Sequence, residues 1–308
     1  MEFGITFSNV FITLLYILPG FIIGKIKKAS ADHLPTLSAV LIYVCGPCMA
    51  ASAFLALDFS VTDLVNMGLF FVISFVLQAV FMALIFFIFC RGNEEKKYRI
   101  LTLGSALGNV GFFGLPIIKA LLPDHAEVAC YSAVYIISMN ILIFTVGVFF
   151  LTGKKETMTL KAAIFNPSML GLCVGLIFYL TGAKAVMPPL ISDSLDLLGR
   201  TTTPLCMLIL GIRLSSVSLV RLFTRPIVYL TCLGKLLVFP LFCYAAVVFL
   251  PLDDAFKAAV LILSATPCGS IIFNMAEIHR SETELSANCV LLSTLICFLT
   301  IPPLTLIL

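Results

Sequence analysis

Hydrophobic positions along this chain fall in long blocks, not in the alternation of half-buried strands or the narrow stripes of soluble helices. Ten runs, each near or above the roughly 20 apolar residues an α-helix needs to cross a bilayer, are separated by short stretches rich in charge, proline or glycine. They cover residues 5–24, 34–56, 64–90, 99–122, 127–152, 162–182, 188–212, 224–250, 255–277 and 284–308. The pattern predicts an all-α polytopic membrane protein of ten transmembrane helices. Met1-Glu2-Phe3-Gly4 lacks a basic stretch, and Lys25, Lys27 and Lys28 follow the first run with no small-residue cleavage site. That run is therefore expected to remain a spanning helix and not to act as a signal peptide.

Charge turns the runs into a topology. Alternate loops carry Lys25, Lys27 and Lys28; Arg91, Lys96, Lys97 and Arg99; Lys154, Lys155 and Lys161; Arg213, Arg221 and Arg225; and Arg280, which is 14 of the 19 basic residues. The opposite loops are short and acidic, with Asp58 and Asp63, Asp124 and Glu127, and Asp253 and Asp254 beside Lys257. Cytoplasmic loops collect lysine and arginine, so the expectation is a multi-pass protein of the inner (cell) membrane with both termini outside the cytoplasm. Composition agrees: 61% of the 308 residues are apolar, 11% are charged and mean hydropathy is +1.14. Soluble domains are about 25% charged, which argues against a water-soluble globule or a nucleic-acid binder, and a net charge of +3 is too small to imply an anionic partner.

The two halves, residues 1–152 and 153–308, match weakly at nearly constant offset. Gly46-Pro47-Cys48-Met49 in the second run resembles Pro204-Leu205-Cys206-Met207 in the seventh, Gln78 in the third corresponds to Lys235 in the eighth, and Pro116 in the fourth to Pro267 in the ninth. Five spans per half is an odd number, so the second copy inserts upside down. Inverted repeats characterise secondary transporters, whose sites lie near the membrane midplane at broken helices. The fourth run supplies such a break, with Gly104, Gly108, Gly111, Gly114 and Pro116 close together, and the ninth supplies another at Ser264-Ala265-Thr266-Pro267-Cys268-Gly269-Ser270. Proline removes a backbone donor and leaves a carbonyl four residues back without its partner, which hydrocarbon tolerates only where protein or a watery cavity satisfies the freed groups. Half-helix N-termini pointing into a shared cavity favour an anion.

Gly108-Asn109-Val110-Gly111-Phe112-Phe113-Gly114-Leu115-Pro116-Ile117, with Ala265-Thr266-Pro267 and Ala276-Glu277 in the ninth run and Pro204 and Gly211 in the seventh, resembles the auxin efflux carrier family. That family includes plant auxin exporters and bacterial permeases for malate, malonate and similar carboxylates. The plant proteins' long central hydrophilic loop is missing here, so the bacterial permeases are the nearer match. The resemblance implies a substrate site framed by the crossover at Pro116 and Pro267 and lined by Asn109. It also implies a scaffold domain from spans one, two, six and seven and a moving domain from spans three to five and eight to ten.

Two cations fall at mid-depth, Arg200 and Lys235, where a charge costs at least ~2.5 kcal/mol. Either could meet a carboxylate. Arg200 has Asp196 four residues before it and so either binds substrate or forms a structural pair; Lys235 has no acid in its own span. With Asn109, Pro116, Thr266 and Pro267 they make up the candidate substrate site. Gln78, Asn140, Asn274 and Asn288 are read as bridges between helices, and Glu277 as an interfacial residue. His33, His125 and His279 all fall in loops, and no metal-ligand cluster or cofactor motif appears. Cys45-Gly46-Pro47-Cys48, with Cys268, admits a thiol-disulfide carrier, but the tetrad lies in an apolar run and lacks the βαβ context of a redox motif; a kink at Pro47 explains it. The 11 cysteines otherwise read as small core residues. The expected activity is alternating-access transport of a small mono- or dicarboxylate, not enzymatic catalysis. H⁺ or Na⁺ coupling, a homodimer and a non-transporting receptor descended from a carrier stay open.

Overall fold

The computed structural model describes residues 3–91, 95–153, 158, 160–217 and 219–308. Lys154 and Lys155, two of the basic residues used for topology, lie outside them. The described residues are helical, with no sheet and one isolated backbone bridge between Gly108 and Cys268.

Among the described residues, seven helices are long and apolar enough to cross a membrane: Phe3–Lys25, Ala31–Leu55, Val61–Phe89, Val128–Thr152, Pro189–Ser216, Pro226–Val247 and Thr283–Ile307. They correspond to runs one, two, three, five, seven, eight and ten. The other three runs are interrupted. Run four is Lys96–Ala106 followed, after residues 107–109, by Val110–Leu121. Run six is Leu160–Ile164 followed by Pro167–Leu180. Run nine is Asp254–Ser264 followed, after residues 265–269, by Ser270–Ile278.

Three widened turns stand just before a proline, while a fourth, over Ile143–Gly147 in the fifth span, has none after it. The N–H of Gly46 bonds back to the carbonyl of Leu41, that of Leu115 to Val110 and that of Phe239 to Gly234, each reaching five residues back instead of four. In each case the next residue is a proline: Pro47, Pro116 or Pro240. Its ring would collide with the carbonyl four residues earlier, and a widened π turn just before it shifts the backbone register. The kink expected at Pro47 is therefore a π turn over Leu41–Cys45. In the seventh span the helix is interrupted at Thr201, and Pro204 sits in the first turn of its continuation, Thr202–Ser216.

Small residues set the closest helix contacts. A Cβ added at Gly20 would meet the backbone of Leu208, and one at Gly211 would meet the carbonyl of Ile17 and, at 2.7 Å, the nitrogen of Phe21. The first and seventh spans thus touch backbone to backbone, which lipid-embedded helices achieve only through small side chains. Gly171 and Gly175 press the sixth span onto Pro47 and Ala51 of the second, and Gly199 presses the seventh onto Met49.

Candidate functional site

The fourth span stops being helical at Leu107, where the backbone turns extended. Gly108 then pairs antiparallel with Cys268 of the ninth span. The N–H of Asn109 donates to the carbonyl of Pro267 at 2.7 Å, and that of Gly269 donates to the carbonyl of Leu107 at 3.0 Å. The N–H of Cys268 is taken by Ser293 Oγ at 3.0 Å, and the Cys268 thiol donates to the carbonyl of Gly104 at 3.2 Å. Backbone groups freed by the two breaks thus satisfy one another inside the protein, as hydrocarbon demands. Glycine is required at the crossing: a Cβ on Gly108 would strike Thr266 Oγ1 and come within 3.0 Å of Lys235 Cε, and one on Gly269 would lie 2.8 Å from the carbonyl oxygen of Gly108.

Lys235 is fully buried against this crossing. Its ammonium donates to the carbonyl of Ser264, the last residue of the helix Asp254–Ser264, and stands 4.7 Å from the centre of the Phe239 ring. A cation at a helix C-terminus meets the negative end of the helix dipole and one of its orphan carbonyls.

On the other side of the crossing lies a cavity of about 890 Å³. Gly108, Asn109 and Val110 of the fourth span and Gly269, Ser270 and Ile271 of the ninth line it, so both second half-helices begin at its wall. From there it extends to Ala31, Asn166, Ser216, Glu277 and Thr283. These residues lie at the helix ends whose loops carry most of the basic residues, and no lining residue belongs to the acidic loops at the other ends. Asn109 is 4% exposed and its amide makes only a long contact of 3.9 Å with Cys206 Sγ.

Of the candidate residues, Asn109, Thr266, Pro267 and Lys235 meet at the crossing. Only Asn109 among them lines the cavity. Thr266 is buried beside Gly108, its hydroxyl donating to the carbonyl of Leu263 at 2.8 Å. Pro267 contributes its carbonyl to the bridge. Pro116 lies about two turns past the crossing, inside the second half-helix, so the two prolines do not occupy equivalent places. Arg200 does not line the cavity: its side chain is 79% exposed and pairs with Asp196 at 2.5 Å, and Asp196 also accepts from Ser52 Oγ at 3.0 Å. The pairing is the structural alternative left open for Arg200 by the sequence. Cys45 and Cys268 are buried, and neither they nor Cys48 is in a disulfide.

Three polar residues of the cavity wall stand out among those that the sequence does not assign to the site. Asn140 and Asn288, 4% and 0% exposed, both line the cavity, and Asn140 Nδ2 and both polar atoms of the Asn288 amide have no hydrogen-bond partner. Asn140 lies in the helix Val128–Leu142 and Asn288 in the helix Thr283–Leu304. Gln78, by contrast, does bridge helices, donating to Ser138 Oγ at 2.7 Å. The third is Arg213, the one basic side chain on the cavity wall among the described residues.

Comparison with known proteins gives a consistent result over the whole chain. The profile of a family described as "Membrane transport protein" matches residues 5–160 and 151–305. An uncharacterized transporter of Methanothermobacter thermautotrophicus is 24% identical over 302 residues, covering 96% of each chain. An uncharacterized transporter of Methanocaldococcus jannaschii is 22% identical over 311 residues, covering 95% of each.

Proposed function

Because the chain belongs to this membrane transport protein family, the auxin efflux carriers, we propose that it is a secondary transporter of small organic anions, mono- or dicarboxylates, working by alternating access. The observation that carries the reading is the crossing of two unwound segments, held by Asn109–Pro267 and Gly269–Leu107 hydrogen bonds, at the wall of a cavity that reaches one end of the helices. The first-turn N–H groups of two half-helices begin there without intrahelical partners, and their dipoles favour negative charge. Asn109, Asn140 and Asn288 add amide donors and acceptors at the cavity wall, and Asn140 Nδ2 and both polar atoms of Asn288 have no hydrogen-bond partner among the described residues.

In this reading the ten runs are ten spans in two inverted halves, 1–152 and 153–308. The glycine-tight packing among spans one, two, six and seven supports a scaffold made of those spans, against which spans three to five and eight to ten move. With the basic loops in the cytoplasm, the cavity is the inward-open one, and both termini are outside. Lys235, Thr266 and Pro267 shape the crossing rather than line the cavity, and Pro116 widens the turn of the half-helix that follows the crossing. The test is flux of labelled malonate, malate and indole-3-acetate in proteoliposomes of the purified protein, with Asn109→Ala as the site variant. Flux that collapses in Asn109→Ala at equal incorporation supports the reading. Absence of flux for every organic anion under imposed pH and Na⁺ gradients would leave the receptor reading in its place.

A further inference from the structure

The two cations that sequence singles out are both engaged elsewhere: Lys235 at the carbonyl of Ser264, fully buried, and Arg200 with Asp196, away from the cavity. Arg213 is different. It sits in the last turn of the helix Thr202–Ser216 and reaches across to the ninth span, where its guanidinium lies over the Phe273 ring, 3.5 Å from the centre. Stacking fixes the plane of the fork while leaving its edge donors unused. Glu277, one turn beyond Phe273 on the same helix, is close enough for its charge to act on Arg213. Among the described residues, however, no hydrogen bond or ion pair closes on the guanidinium. The C-terminal end of its own helix stabilises the positive charge. A planar cation held flat on the cavity wall with its edge donors unclaimed is the geometry that takes a carboxylate through two parallel hydrogen bonds.

We propose that Arg213 forms an anion-recognition subsite of the cavity, taking one carboxylate on the free edge of its guanidinium while Phe273 holds the plane. The inference rests on reading the cavity as an anion path, and it specifies which side chain supplies the charge. Phe273 is one turn along the half-helix that begins at the crossing, a rise of about 4.5 Å for three residues. An anion held by Arg213 therefore lies beside that half-helix N-terminus and touches both the seventh and the ninth spans. Glu277 acts on Arg213 through its charge without pairing with it, so the edge of the guanidinium stays open.

The test uses the purified full-length protein in detergent, with malonate, acetate and the uncharged dimethyl malonate as probes. Arginine modification by phenylglyoxal is followed at the Arg213 peptide by mass spectrometry, and binding by calorimetry. Malonate is expected to slow modification of Arg213 and not of Arg200, and dimethyl malonate to do neither. Arg213→Gln should weaken malonate binding about ten-fold or more, the loss of a charge-assisted bond pair, and Arg213→Lys should restore part of it. Both variants are compared at equal elution volume and equal unliganded thermal midpoint, so that a folding defect is recognised. Unprotected Arg213 with unchanged malonate affinity in Arg213→Gln overturns the subsite. If that occurs while the wild type still carries malonate across vesicles, the transport reading stands; protection of Arg213 without flux of any organic anion has the opposite meaning.

Discussion

Asn109 donates its backbone N–H to the carbonyl of Pro267 across 158 positions of chain, at 2.7 Å. This bond ties the first half of the molecule to the second at the point where each gives up its helix. Proline suits the partner position because it contributes a carbonyl and asks for no acceptor. Asparagine suits its own because its side chain is left facing the cavity. The bridge pairs the N–H groups of Asn109 and Gly269 and lets the N-termini of both second half-helices begin at one wall.

The crossing depends on the absence of side chains at Gly108 and Gly269. Gly108→Ala would push a methyl group into Thr266 Oγ1 and Lys235, and Gly269→Ala would push one to 2.8 Å from the carbonyl oxygen of Gly108. Each is expected to lower stability by about 1–3 kcal/mol, the usual cost of overpacking, and to abolish flux. Gly68→Ala is the control, because nothing lies within 4 Å of its added Cβ. It should leave flux unchanged and the thermal midpoint the same or higher. Equal midpoints and equal flux for all three variants would show that the crossing has room to spare.

How much of this was readable from sequence follows from what hydrophobicity reports. Apolar runs mark lengths of chain that avoid water, and among the described residues seven of them are helical stretches long enough to cross a membrane, within a few residues of the predicted limits. Runs four and nine broke where their glycines and prolines suggested, but sequence placed the crossing at Pro116, whereas Pro116 only widens the turn before it and the chain is extended at Leu107–Asn109. Backbone pairing between residues so far apart leaves no local pattern. Arg213 was missed because a basic residue near a helix end reads as a loop charge, and only the packing of the seventh span against the ninth shows which way it faces. Lys235 was found because a lysine in an apolar run is costly, yet its partner is a backbone carbonyl, which no sequence pattern identifies.

That partner gives Lys235 a testable role distinct from substrate contact. Lys235→Met keeps the length of the side chain and removes the ammonium that caps the helix Asp254–Ser264. Flux is expected to be lost, because the crossing loses the cation that orders its ninth-span arm. Binding of malonate to the detergent-purified protein should change less than about three-fold, well below the ten-fold expected from losing a direct charged hydrogen bond. A binding loss equal to the flux loss would place Lys235 in contact with the anion.

Arg200 offers the converse case. Its pairing with Asp196 at 2.5 Å is of the i, i+4 kind, and neither residue lines the cavity. Arg200→Gln is expected to leave malonate affinity and flux within about two-fold of the wild type, well below the ten-fold expected from losing a direct charged hydrogen bond. Flux reduced ten-fold at unchanged incorporation would return Arg200 to the substrate path.

The amides of Asn140 and Asn288 separate a binding role from a structural one by the sign of a stability change. If they bridged helices, leucine in their place would remove hydrogen bonds and destabilise the protein. Instead Asn140 Nδ2 and both polar atoms of Asn288 are buried with no partner. Replacing an unsatisfied buried amide by an apolar group of similar size removes a desolvation penalty of about 1–3 kcal/mol. Asn140→Leu and Asn288→Leu should therefore unfold at the same temperature as the wild type or higher when no ligand is present. The stabilisation that saturating malonate confers, which grows with affinity for the folded state, should shrink in both as affinity falls about ten-fold for each lost hydrogen bond to a charged group. Thermal melts of the two variants with and without malonate measure both quantities at once. Lower unliganded midpoints with an undiminished malonate shift would assign the two asparagines to helix packing and take them out of the site.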